Sequence, residues 1–517
     1  MQNFIDRRRF LASGVAVAGL ANVSAPGATP EPKATQAGPA RIRYSAFDSR
    51  ANLDSYRKGV TKMKEWGLAD PNDPRGWDFQ AAIHGSQTRT GVPFNQCEHK
   101  SWWFFPWHRA YLHFFERIVR AASEDPNFTL PYWDWDTPNR TLFPKEFRDP
   151  ASSLYDGTRR KWANTGLGFN VQDLNLGGTM ASRNFLGSRQ AQGFGGVAYP
   201  VRLKGAMELQ THDKVHGLIS GNMGDSNTAA QDPIFWMHHC NVDRLWDTWL
   251  AKGHSNPPDS AWLENLIDGH PSLWTLYDEN KTKVEVKTSE FLQGGPRLDY
   301  QYDSLNGNIH SLLVNTQIRN QIRQDRMVMM APPPGAEGNN RMATDIFGDQ
   351  TRIVVTTNDS RTVIGAAPVK VQAAIQPDKN LKFMQALPLA TTAEPNAPSI
   401  LLNIEDVRST AAPGVVFRVF LNEPKAGATT NPDEANYVGS IAIFQSSSPH
   451  HRMKPAGRDR RGEDFSFDIS KLVQSLTQRG HWNPDKIDVT LVSKGVGGED
   501  NPQAEVSFDR VSISIER

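Results

Sequence analysis

Six histidines fall in two groups of three along this 517-residue chain: His84, His99 and His108, then His212, His216 and His239. Each group lies in a stretch dense in Trp and Phe. Neutral imidazole suits copper, and two three-histidine cups facing each other make a site for two copper ions and dioxygen. His212 and His216 are four residues apart in Glu208-Leu-Gln-Thr-His-Asp-Lys-Val-His. On a helix, positions i and i+4 share a face, so both rings reach one metal. His239 stands beside His238, and spacing alone leaves either as a ligand. Asp232 and Asp243 are at hand to hold imidazole N–H groups. His108 ends Trp102-Trp-Phe-Phe-Pro-Trp, an aromatic wall that keeps water from a redox metal. His113, five residues further on, falls on another face of the same helix and reads as a packing or surface residue. His254, His270, His310, His450, His451 and His481 have no comparable setting. Zinc is the competing metal. A closed zinc site favours cysteine and a catalytic one often takes a carboxylate, so two all-histidine triads favour copper.

The elements that must carry these residues are helical. Trp107 to Arg120 and Ile234 to Leu250 mix apolar and polar residues at helical spacing, and Asp232-Pro233 is a start signal for the second. From about Val369 the pattern turns to short β-type runs: Ile400 to Ile404, Val415 to Leu421, Ser440 to Phe444, Ile487 to Val492 and Val511 to Ile515. The expected architecture is a mainly α catalytic domain, a helical bundle around the metal pair. An all-β sandwich or jelly roll follows it. The expected boundaries are a signal segment at 1–28, a linker at 29–40, the catalytic domain at 41–303, a linker region at 304–368 and the β-domain at 369–517.

Composition narrows the partners. With 57 basic and 56 acidic residues the chain is close to neutral, so no polyanionic partner is suggested. No basic patch interleaved with aromatics and no Gly-rich phosphate loop appears, which sets nucleic acid and nucleotides aside. Arg7-Arg8-Arg9-Phe10-Leu11 precedes a short, weakly apolar run and small residues. This resembles a twin-arginine export signal, with a disordered basic tail as the competing reading. The apolar run is too short to span a bilayer. The expectation is therefore an exported protein, periplasmic or secreted, without stable membrane insertion and free to form an oligomer. Cys97 and Cys240 are the two cysteines, and both lie in the histidine segments.

Two longer strings carry a resemblance. His99-x4-Phe104-Phe-Pro-Trp-His108-Arg109 with Glu116 resembles the first copper signature of the tyrosinase and polyphenol oxidase family. Asp232-Pro-Ile-Phe-Trp-Met-His-His239-Cys-Asn-Val-Asp243-Arg-Leu-Trp resembles the second, and Leu130-Pro-Tyr-Trp-Asp-Trp-Asp136 is a further family-like string. Leu298-Asp-Tyr-Gln-Tyr302 is similar to the end of the catalytic unit in plant-type enzymes, where a Tyr-x-Tyr element packs near an N-terminal arginine, here Arg41 or Arg43. Val416 to Asn422 resembles the opening of their C-terminal β-domain.

The resemblance implies a type-3 copper pair with dioxygen as co-substrate, held by His84, His99, His108, His212, His216 and, by the signature, His239 rather than His238. It implies oxidation of small phenols: ortho-hydroxylation of monophenols and oxidation of o-diphenols to o-quinones. The alternatives are a catechol oxidase with little monophenolase activity, a hemocyanin-like dioxygen carrier, and oxidation of o-aminophenols. Cys97-Glu98-His99 matches the spacing at which some relatives join the two side chains by a thioether; a free buried cysteine and a Cys97–Cys240 disulfide are the other readings. Phe235 matches a phenylalanine beside the copper pair. Glu208 matches a glutamate that holds a water thought to deprotonate monophenols. Asp213 stands where asparagine usually partners that water, which puts efficient monophenol hydroxylation in doubt. Ser226 stands where plant-type enzymes often place a bulky phenylalanine over one copper, so a wider entrance for bulky phenols is expected. The β-domain is implied to be a lid that keeps the enzyme latent, with Pro332 to Asn339 as a cutting site.

Overall fold

The computed structural model describes residues 40–187, 192–305, 352–392, 397–410, 413–432, 436–444, 462–497 and 505–516. The export segment, the Pro332 to Asn339 site and most of the 304–368 linker region lie outside them. So do His310, His450 and His451.

Four long or well-placed helices build the first part: α1 (Arg50–Ala69), α2 (Trp77–His84), α3 (Phe104–Ser123) and, further along the chain, α5 (Ile234–Ala251). Between them runs α4 (Asp213–Ile219), entered through a π-helical turn, Met207–His212. Helix α3 has no solvent face: 17 of its 20 residues are buried, so it is the axis around which the others pack. Pro106 sits in its first turn, where a missing N–H breaks no intrahelical bond. Helix α1 crosses α3 so closely that a Cβ on Gly59 would meet Val119 Cγ1 at 2.7 Å. Helix α5 starts where the Asp232-Pro233 signal predicts. Asp232 accepts the Ile234 amide at 3.0 Å, and Arg159 grips the same carboxylate from the other side at 2.6 and 2.8 Å.

Strand β1 (Arg41–Arg43) pairs in parallel with β2 (Tyr300–Tyr302), which ties the two ends of the helical part together. The tie is ionic as well. Arg43 is fully buried; its Nε donates to Glu116 at 2.8 Å and its guanidinium lies 3.4 Å from the Tyr300 ring centre. Of the two expected arginines it is thus Arg43 that meets the Tyr-x-Tyr element, while Arg41 donates to the Pro126 carbonyl at the surface. The hydroxyls of Tyr300 and Tyr302 both donate to Asp243 Oδ2, at 2.5 and 2.6 Å.

The second part is a β-sandwich. One sheet contains β3 (Arg352–Asn358), β4 (Thr362–Ile364), β6 (Ser399–Ser409), β9 (Glu463–Asp468), β11 (Val506–Phe508) and β12 (Arg510–Glu516). The other contains β5 (Val369–Ala373), β7 (Val416–Leu421), β8 (Tyr437–Ile441) and β10 (Ile487–Lys494), in the order β8-β7-β10-β5. All their pairings are antiparallel. The period of two is plain in the register: Ile400, Leu402 and Ile404 lie opposite Ile515, Ile513 and Val511, and all six are buried in one core. Among the described residues the sandwich includes strands at Arg352–Asn358 and Thr362–Ile364, ahead of the expected Val369. Strand β3 pairs along β12 from Asn358–Val511 to Arg352–Glu516, and β4 pairs with β11, so both belong to the sandwich. Among the described residues no helix is long and apolar enough to cross a membrane.

Replacing Arg43 by Met removes one partner of a buried pair and leaves Glu116 and Asp243 short of positive charge. We expect a loss of about 3–5 kcal/mol of stability, read as a lower urea midpoint; an unchanged midpoint would show that the Tyr-x-Tyr packing carries the tie alone.

Candidate metal centre

Four helices, one π-helical turn and one loop deliver the rings. His84 is the last residue of α2, His108 lies in the second turn of α3, and His99 sits in the loop before it. His212 closes the π-helical turn, His216 lies on α4, and His238 and His239 lie on α5. A π turn is rare and tends to mark functional sites. Here it hands directly to α4, which sets the His212 and His216 ring centres 4.4 Å apart.

Two clusters result. The side-chain ligand atoms of His84, Cys97, His99 and His108 lie within 4.8 Å of one another, and so do those of His212, His216, His238 and His239. The clusters face each other. The rings of His108 and His239 are parallel to within 8° with centres 4.1 Å apart, and His99 and His212 are 5.7 Å apart.

Second partners fix which nitrogen is free. His84 Nδ1 donates to the Ser226 carbonyl at 2.9 Å, His108 Nδ1 to Phe104 at 2.7 Å and His216 Nδ1 to Met223 at 2.7 Å. His212 Nδ1 donates to the Asp213 carboxylate at 2.8 Å. A ring whose Nδ1 carries the proton keeps the Nε2 lone pair for a metal. His216 Nε2 is buried with no partner, as a waiting donor atom should be. His238 is arranged the other way. Trp135 Nε1 donates to its Nδ1 at 3.1 Å, which puts the proton on Nε2. His238 is therefore inside the cluster yet in the wrong tautomer, a physical reason to prefer His239. Burial holds His108 and His216 at about 3 and drives His212 and His239 well below the usual histidine range. All four are neutral imidazoles, the form that binds a transition metal.

Aromatic rings enclose the pair. Phe235 lies 4.8 Å from His84 and 4.3 Å from His239, and Phe104 lies 4.7 Å from His108 and 5.0 Å from His212. Cys97 Sγ stands 3.3 and 3.6 Å from the two ring nitrogens of His99, so it faces the carbon between them. Both cysteines are free and buried, without a disulfide. His113 lies outside the clusters, with Nδ1 3.3 Å from Asp299.

Three other expected residues lie beside the cups. Glu208 accepts the Lys100 amide at 2.9 Å, the residue after His99, and burial raises its pKa against the pull of Lys204. Asp213 divides its oxygens between His212 and the Lys204 ammonium, 2.6 Å away. Ser226 is buried and offers its carbonyl to His84, so its main chain backs a ring of the first cup.

One residue at the site has no sequence signal: Phe444, just past β8. Its ring stacks on His216 at 4.3 Å and lies 5.4 and 5.7 Å from His99 and His212. The strand end comes so near α4 that a Cβ on Gly217 would meet the Ile443 carbonyl at 2.9 Å. The β-domain is also held by Arg418, which grips Asp173 with two bonds of 2.8 and 2.9 Å.

Comparison with known proteins agrees with this centre. The family description "Common central domain of tyrosinase" matches residues 74–185 and 156–252, and a domain of unknown function (DUF7868) matches 352–516. Tyrosinase HcTyr1 of Hahella sp. is 28% identical, over 92% of this chain and 99% of that protein. The chloroplastic catechol oxidase B of Solanum tuberosum is 29% identical, over 89% of this chain and 74% of that one. Among solved structures, latent apple tyrosinase shares the fold, with a TM-score of 0.59 over 94% of this chain and 99% of that one at 24% identity.

The tautomer argument makes a direct prediction. His239→Ala should lose one of two bound copper ions, whereas His238→Ala should keep both, measured as metal per chain after dialysis. Loss in His238→Ala and retention in His239→Ala would reverse the assignment.

Proposed function

We propose, from the premise that the chain belongs to the tyrosinase and polyphenol oxidase family of dicopper oxidoreductases, that it oxidises o-diphenols to o-quinones and is held latent by its own β-domain. The observation that carries this reading is two opposed imidazole cups with Phe444 lodged against three of their rings. The proposed ligands are His84, His99 and His108 in one cup and His212, His216 and His239 in the other. When bound, the copper pair supplies dioxygen activation and accepts the two electrons that a diphenol gives up.

The chain's own contribution is positional. Three carbonyls and one carboxylate hold the Nδ1 of His84, His108, His216 and His212, so little rearrangement of these four rings accompanies metal binding. Phe104 and Phe235 pack against rings of both cups and keep water from them. Glu208 is a buried carboxyl that accepts the amide of Lys100, next to His99, and is the residue we assign to take the phenolic proton. Asp213 accepts from His212 with one oxygen and from Lys204 with the other, so these two partners, rather than a water shared with Glu208, set its orientation. That commitment favours diphenol oxidation over monophenol hydroxylation. Cys97 faces the edge of His99 at which a thioether would form, and we assign it that role.

Phe444 occupies the place a substrate ring would take against His216. It is buried, at 2% exposure. The β-domain therefore acts as the lid, and removing its plug is the activating event. Export in the folded state through the Arg7-Arg8-Arg9 segment fits a centre that forms only when several distant segments come together.

The test is oxygen uptake on copper-loaded wild type and Phe444→Ala, with a monophenol and its matching diphenol. Phe444→Ala is expected to oxidise the diphenol faster than wild type, with the monophenol much slower in both. Copper binding without quinone formation in either protein would favour a dioxygen carrier instead.

A further inference from the structure

Lys204 lies ahead of the π-helical turn, with its side chain 4% exposed. A buried ammonium must be compensated, and Lys204 has two carboxylates. Its Nζ donates to Asp213 Oδ2 at 2.6 Å and to Glu463 Oε1 at 2.5 Å. Asp213 belongs to α4 and, through its other oxygen, holds the Nδ1–H of His212. Glu463 opens β9 of the β-domain and also lies 3.3 Å from Lys100 Nζ, next to His99. Two ammonium groups, Lys204 and Lys100, meet the carboxylates of Asp213 and Glu463, and the buried Glu208 carboxyl is near enough to act on Lys204 as well. A continuous chain thus runs from the lid to a ring of the second cup: Glu463, Lys204, Asp213, His212.

We propose that Lys204 is a positioning residue for the second copper, acting through Asp213 on His212, and that the same ammonium is an ionic attachment point of the β-domain. With the β-domain docked, the Lys204 charge is divided between the two carboxylates. When the β-domain leaves, it belongs to Asp213 alone, and Asp213 stays oriented. The lid is therefore held at the site without any of its groups being needed to keep the metal. Removing Lys204 instead leaves Asp213 buried without its cation, free to turn away from His212. Carboxylates that hold a ligating imidazole in this way are worth about 10–100-fold in metal affinity.

The inference rests on the copper reading, and its test is read from metal binding rather than turnover. Copper is titrated against a competing chelator in the full chain. In Lys204→Met the more weakly held ion should bind about 10–100-fold less tightly, while Lys204→Arg should stay close to wild type. Glu463→Gln should hold both ions as wild type does but lose its β-domain faster to limited proteolysis. Should Lys204→Met fail to fold, the double variant Lys204→Gln/Glu463→Gln keeps a neutral hydrogen-bonded pair at the lid. It should resist proteolysis and still hold one ion weakly. Normal copper affinity in every soluble Lys204 variant would overturn the proposal. So would a loss of copper in Glu463→Gln equal to that in Lys204→Met, since the lid would then be holding the metal. A wild type that binds the copper pair yet makes no quinone, with or without its plug, overturns the functional reading and leaves this titration valid.

Discussion

Everything at the centre depends on how α3 and α5 are locked side by side. The lock is the buried pair of Arg109 and Asp243, whose Nε and Oδ1 are 2.6 Å apart. Each partner sits close in sequence to a ring of the site: Arg109 follows His108, and Asp243 is one turn beyond His239. Fixing the two charges therefore fixes the two rings, which stack at 4.1 Å. Such a pair is tolerable in a low-dielectric interior only if every remaining polar valence is met. Asp247 takes a second nitrogen of Arg109, and the Tyr300 and Tyr302 hydroxyls fill the other oxygen of Asp243. The short parallel pairing of β1 and β2, and the burial of Arg43 beneath it, serve to complete this set.

The parts of the site legible in sequence are those that rest on local spacing. Histidines four apart on a helix, a run of aromatics leading into His108, and Asp-Pro before a helical pattern need no distant partner to be informative. The choice between His238 and His239 shows the boundary. Spacing leaves both open and the family signature chooses; the structure adds Trp135, about a hundred positions away, whose indole N–H donates to Nδ1 of His238. Phe444 and Glu463 lay beyond reach for the same cause. Each is an unremarked residue at a strand end or start, and only the docking of two domains brings it to the metal cups. Asp213 and Ser226 could be flagged from sequence, but their partners could not. One is bound by Lys204, and the other acts through its carbonyl.

The fold was legible at the level of class and less so at its joints. The β-type runs from Ile400 onward fall on strands, because alternation in a half-buried sheet is a local pattern, except that the strand at Ser440 to Phe444 is Tyr437–Ile441 and ends before Phe444. Strands β3 and β4 stand apart from the later β-type runs, and Thr362–Ile364 is only three residues long. Their assignment comes from pairing with β12 and β11, which follow them by about 150 residues.

The stacking of Phe444 on His216 bears on more than substrate. A metal ion that approaches His216 from the β-domain side meets the same ring as a phenol would. A stopper that slows one slows both. Metal exchange at the second cup is then slower with the β-domain docked than before Phe444 settles over His216. One ring contact between two domains thus bears on how fast the metal is exchanged as well as on what reaches it.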